Sequence, residues 1–204
     1  MSILRSEDLN LIRAARKNNF LQDLKVEKLL DIKEPTGMIL CSDGHQRKAI
    51  NDYISKLWAN LQAEEIIHEI KFAGAPLFSA KSSIVSSRFH EDEFIMDQIA
   101  KGIKLGKISK RLIIFGHWGC GLANEYDLSL HDCFEVQVRG MERILKEFPQ
   151  LTVSTVIQID YRAQIAEKDR KTYHIETPAW RQFATEFAQY DYTSRPLFAG
   201  SAKA

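Results

Sequence analysis

Long apolar runs are missing from this chain. The longest are short stretches such as LIIF, far below the roughly 18 to 20 residues needed to span a bilayer, so no membrane helix is expected. A surplus of charge of one sign is missing too. Lys and Arg number 28 against 27 Asp and Glu, which leaves no broad cationic field for nucleic acid or a lipid surface. Cysteine is scarce. Cys41, Cys120 and Cys133 are an odd and sparse set, unsuited to a disulfide framework and better read as thiols or metal ligands. The N-terminal stretch MSILRSEDLNLIRAARK is acidic and helically periodic rather than solidly apolar; it does not read as a secretory signal, and a cytoplasmic location is expected. Internal repeats and low-complexity tracts are likewise lacking.

What is present is ample material for a core. Of the 204 residues 45% are hydrophobic and 10% aromatic, enough apolar surface to offset the entropy of ordering one domain, here residues 1–204. Apolar side chains at Leu9, Ile12, Phe20, Leu21, Leu24, Leu29 and Leu30 predict one or two amphipathic helices within residues 1–31. KEPTG then turns the chain, and MILC at 38–41 predicts a buried strand. After SDGH, the spacing in QRKAINDYISKLWANLQAEEIIHEI predicts a helix over 46–70. Residues 72–90, with Gly, Pro and several serines, read as irregular or extended with one strand.

EDEFIMDQIAKGIKLG, at 91–106, has an acidic first turn and a terminal glycine, the start and stop signals of a helix. RLIIFG at 111–116 predicts a strand, CFEVQVRGMERILKEF a helix ending before Pro149, and LTVSTVIQIDY another strand. TVIQIDY and KTYHIE predict a hairpin at the sheet edge, and residues 176–204 a terminal helix and tail. Strands alternating with helices imply an α/β fold, a mostly parallel β-sheet flanked by helices. Ligands in such sheets gather beyond the carboxyl ends of strands. Two loops qualify, those after MILC and after LIIFG, and both carry sulfur.

Cys41, His117 and Cys120 are therefore the candidate metal ligands. Two soft sulfurs and one imidazole suit tetrahedral zinc, and the three-residue spacing of His117 and Cys120 lets one tight turn aim both inward. Three protein ligands leave a fourth position for water or another side chain. Asp43 is the nearest candidate. Its carboxylate either bonds zinc and closes the site, or stays off the metal and accepts a hydrogen bond from a water there. Cys133, beside Phe134, reads as a small core side chain. His68, His90, His131 and His174 are scattered without ligand spacing, Trp58 and Trp180 fall on helical packing positions, and Trp118 either walls a pocket or packs.

At CSDGH, 41–45, and GHWGCG, 116–121, the sequence resembles the β-class carbonic anhydrases, whose motifs read Cys-x-Asp-x-Arg and His-x-x-Cys. The resemblance implies a β-carbonic-anhydrase-like fold, zinc held by Cys41, His117 and Cys120, Asp43 as the acid of the family's Asp-Arg dyad, and reversible hydration of carbon dioxide to bicarbonate. It also implies N-terminal helices that embrace a partner subunit in a homodimer or tetramer. Relatives of the same fold hydrolyse carbon disulfide or carbonyl sulfide. Two departures stand out: His45 occupies the dyad arginine's position, and LFSAKSSIV stands where the family has an asparagine-containing segment. Imidazole lacks the guanidinium fork that grips a carboxylate in bidentate fashion, although an imidazole is the side chain whose ordinary range suits it to relaying protons, which makes His45 a candidate relay.

Two alternatives follow from the same residues. One is a zinc-binding protein of this type without hydratase activity, motivated by His45. The other is a cysteine phosphatase, because CSDGHQR fits Cys-x-x-Gly-x-x-Arg with Cys41 as nucleophile and Arg47 as phosphate clamp. Against that, Leu40 and Lys48 stand where such loops carry a histidine and a hydroxyl residue.

Overall fold

The computed structural model describes residues 4–24, 34–42, 67–80, 85, 89–161 and 170–187. In chain order these form α1 (Ser6–Lys17), β1 (Leu21–Asp23), β2 (Thr36–Cys41), β3 (Ile67–Phe72), α2 (Ala75–Phe78), α3 (Glu91–Lys104), β4 (Arg111–His117), α4 (Gly121–Glu125), α5 (Leu130–Glu147), β5 (Thr152–Asp160), β6 (Arg170–Ile175) and α6 (Thr177–Phe187). None of the described helices is long and apolar enough to cross a membrane.

All six residues of β2 and six of the seven in β4 are buried. Strands covered on both faces lose the in-out alternation of a half-exposed sheet, and this is why they read as continuous apolar runs. The sheet order is β1-β6-β5-β4-β2-β3. Strands β3, β2, β4 and β5 are parallel, while β6 and β1 run antiparallel at one end. The fold is thus α/β around a six-stranded, mostly parallel sheet, as the alternation of elements implies.

One consequence of this order is a crevice at the carboxyl ends of two adjacent strands. The chain leaving β2 returns to the sheet at β3, on one side of β2, whereas the chain leaving β4 returns at β5, on the other side of β4. Neighbouring strands whose continuations diverge leave a crevice at their carboxyl ends, the topological switch point of an open sheet. Here it lies between Cys41 and His117, the last residues of β2 and β4.

Helix α5 shows how local chemistry sets a boundary. Ser129 Oγ accepts the backbone N–H of Asp132 at 3.1 Å, and the Asp132 carboxylate accepts the backbone N–H of Ser129 at 2.9 Å. This reciprocal box satisfies donors that the first helical turn leaves open. The helix begins at Leu130, three residues before the apolar run from Cys133 that marks it in the sequence. It docks α6 through Phe134, Trp180 and Phe183, which surround Phe20 at ring distances of 4.6 to 5.8 Å.

The structure corrects several expectations. Ile67–Phe72 is a strand, not the end of a helix, because parallel pairing with Thr36–Cys41 supplies its backbone with partners; residues 46–66 lie outside the described residues. Within the N-terminal segment expected to be helical, Leu21–Asp23 is a strand paired with Tyr173–Ile175. That pairing also moves β6 inward: the β5–β6 hairpin forms, but β1 lies outside it. Helix α1 buries Leu11, Ile12 and Ala15 in this chain's own core.

Candidate metal centre

Three of the five residues singled out by the sequence converge. Cys41 closes β2, His117 closes β4, and Cys120 is the residue before α4. The turn between the last two runs through Trp118 and Gly119, whose φ of +85° is a conformation that favours glycine. Trp118 extends the β4–β5 ladder by one bond, its backbone N–H donating to the Gln158 carbonyl at 2.8 Å. That bond holds the start of the turn against the sheet and so fixes where His117 stands.

The ligand atoms of Cys41, His117 and Cys120 all lie within 4.8 Å of one another. The two sulfurs are 3.7 Å apart, too far for a disulfide, and both thiols are free. Each of the three residues is only 4% exposed. Neither His117 Nδ1 nor Nε2 has a hydrogen-bond partner among the described residues, although both are buried. Buried polar atoms without partners are uncommon because the desolvation cost goes uncompensated. A metal is one partner that removes it.

The spacing can be tested against zinc. Tetrahedral bonds of about 2.3 Å to two thiolates place their sulfurs about 3.8 Å apart, and the observed separation is 3.7 Å. A buried Cys-His-Cys group of this geometry could hold a metal ion, with the fourth tetrahedral position left to another ligand.

Electrostatics make the sulfur pair unequal. The Cys120 thiol donates to Cys41, and this bond, with a further contribution from His117 and against the opposing effect of burial, holds Cys41 well below the ordinary thiol range. Cys120 is pushed up by retaining the proton it donates and by burial, while the backbone N–H groups of Leu122 and Ala123 work the other way. The pair therefore carries one thiolate, the form in which sulfur binds metal.

Comparison with protein-family models, with curated proteins and with solved structures finds no match to this chain.

Asp43 and His45, together with Arg47, lie outside the described residues. Two neighbours of the centre escape sequence reading. The backbone N–H of Gly74 donates to Cys41 Sγ at 3.2 Å; a backbone donor 33 residues away leaves no mark in composition or periodicity. Gln137 of α5 is buried with its Oε1 unpartnered among the described residues, its amide pressed on Gly116 beside His117. The sole sequence signal was a polar residue between Val136 and Val138. Trp118 is buried in the core, and its indole Nε1 has no partner among the described residues. Cys133 is a buried core side chain of α5, as its setting beside Phe134 suggests.

Proposed function

We propose that this chain is a zinc protein of β-carbonic-anhydrase type that hydrates carbon dioxide reversibly to bicarbonate. The observation that carries the reading is the convergence of Cys41, His117 and Cys120 within 4.8 Å at the switch point of a parallel sheet, with a sulfur spacing that matches tetrahedral zinc. When bound, zinc supplies a Lewis acid that acidifies water and polarises a substrate oxygen. Cys41 and Cys120, both deprotonated once a metal is held, would neutralise the dication, and their burial would keep competing water away from the ligands. Asp43, two residues beyond Cys41, is assigned to orienting the nucleophile, and His45 to relaying the released proton.

The experiment is metal analysis followed by stopped-flow hydration. One zinc per chain, with a chelator-sensitive rate that Cys41→Ser and His117→Ala abolish, supports the reading. Metal-free protein, or a rate no greater than buffer at any pH between about 7 and 9, refutes the enzyme.

A zinc protein without turnover is the second reading. It is favoured by His45 in the place of the dyad arginine, since imidazole cannot hold Asp43 in a bidentate grip. Stoichiometric zinc with no hydration distinguishes it. The phosphatase reading is weakened because Cys41 sulfur shares a proton with Cys120 and receives the Gly74 amide instead of standing free beneath a phosphate. In either zinc reading the chain is assigned to a homodimer or tetramer by the family resemblance, which light scattering checks.

A further inference from the structure

Cys41 sulfur accepts a hydrogen bond from a residue that is itself locked by the helix following Cys120. Gly74 sits between β3 and α2 with φ of +70°, and from there its N–H reaches Cys41 Sγ at 3.2 Å. A Cβ on Gly74 would lie 2.1 Å from Leu122 Cδ2 and 3.2 Å from Leu122 Cβ and Cγ. Leu122 belongs to α4, two residues beyond Cys120. The β3–α2 turn is thus wedged against the helix that carries one thiol while its backbone donates to the other.

We propose that Gly74 is a positioning residue of the metal centre. Its N–H orients the Cys41 thiolate and lowers electron density on that sulfur, and the Gly74–Leu122 contact ties this donor to the Cys120 loop so that both sulfurs are set together. The donor is a backbone amide without a Cβ, which lets the turn approach within hydrogen-bond distance of a buried sulfur. Partners of this kind tune metal affinity without touching the metal, and their loss typically weakens binding about 10- to 100-fold. The inference rests on the zinc reading above, but it concerns how the site is built and holds whether or not the protein turns over carbon dioxide.

The test uses the whole chain and the metal alone. In nitrogen-labelled protein loaded with NMR-active cadmium, the Gly74 amide proton is expected to show scalar coupling to the metal through Cys41 sulfur; absence of that coupling overturns the proposal. Gly74→Ala should weaken zinc binding by about 10- to 100-fold in competition with a chromogenic chelator. In the cobalt-substituted variant the sulfur-to-metal charge-transfer band should move to longer wavelength, because the sulfur lone pairs are no longer stabilised by the amide. Adding Leu122→Ala removes the collision and should restore part of both signals. The cadmium coupling in the wild-type protein carries the test if Gly74→Ala alone does not fold. Unchanged affinity and an unchanged cobalt band in folded Gly74→Ala overturn the proposal. Wild-type protein that binds no zinc, cobalt or cadmium refutes the zinc reading itself, so the two failures are distinct.

Discussion

Replacing His117 by leucine should stabilise the metal-free protein while abolishing its response to zinc. His117 is 4% exposed and offers two ring nitrogens, neither of which has a hydrogen-bond partner among the described residues. A buried polar group left unpaired costs about 1–3 kcal/mol. Leucine is close to imidazole in bulk, removes both polar atoms, and leaves little cavity. In chelator the variant should gain up to about 3 kcal/mol, reduced by the loss of the His117 interaction that helps hold Cys41 as a thiolate, a rise in Tm of up to about 12 °C at about 2–4 °C per kcal/mol for a domain of this size. Zinc acts in the opposite direction. At a free concentration of about 100 times Kd it should add about 2.7 kcal/mol to the wild type, or about 5–11 °C, and almost nothing to the variant. The assay is thermal unfolding by circular dichroism, with and without zinc, in buffer otherwise fixed. A variant that melts below the wild type in chelator would show that the His117 nitrogens are not a source of instability. One that still rises with zinc would remove the histidine from the centre.

Two further outcomes follow from buried groups away from the site. Glu135 accepts hydrogen bonds from Arg139 Nε, Trp180 Nε1 at 2.6 Å and Arg181 Nη1 at 3.0 Å. Burial alone would raise its pKa, but those three donors win and hold it below the usual carboxylate value. A depressed carboxylate contributes stability that is fully present above the unfolded value, about 4.3, and lost as pH falls through the folded one. Glu135→Ala should therefore cost about 2–3 kcal/mol near neutrality, most of it from the orphaned Trp180 N–H, since both arginines are partly exposed and return to water. In urea denaturation the deficit of Glu135→Gln should narrow as pH drops below about 4; a deficit that widens on acidification would contradict the sign. Burial, its largest cause, pushes the Cys133 thiol up. Native protein should resist iodoacetamide at Cys133 and react there in urea, and Cys133→Ala should leave the zinc content unchanged; mass spectrometry and metal analysis check both.

How much of this was legible depended on the range of the interaction that fixes each element. Strands β2 and β4 are buried on both faces, so their character is written in their own side chains and MILC and RLIIFG give them away. Helix α3 carries its own signals, with acids at Glu91, Asp92 and Glu93 and Gly106 just past its end. Strand β1 does not. Its three residues are extended because Tyr173, His174 and Ile175 pair with them, and nothing in LQD separates it from the helix before it. Strand β3 is the same case, since His68, Glu69 and Lys71 interrupt the apolar pattern and parallel pairing to β2 decides its conformation.

The metal centre lies between these extremes. Its ligands were identifiable because each one ends or follows a legible strand, and strand ends are where an α/β sheet gathers ligands. What fixes their geometry was not identifiable, because it is the divergence of the chain after β2 and β4 and the amide of Gly74, both properties of topology and backbone. A sequence can therefore nominate a donor set from side-chain chemistry alone, whereas whether the donors meet depends on strand order. Here β2 and β4 are direct neighbours, with Leu40 paired to Phe115. That adjacency brings residues 76 positions apart in the chain to one crevice; had β3 been inserted between the two strands, about 4.8 Å of added separation would have left Cys41 out of reach of the other ligands.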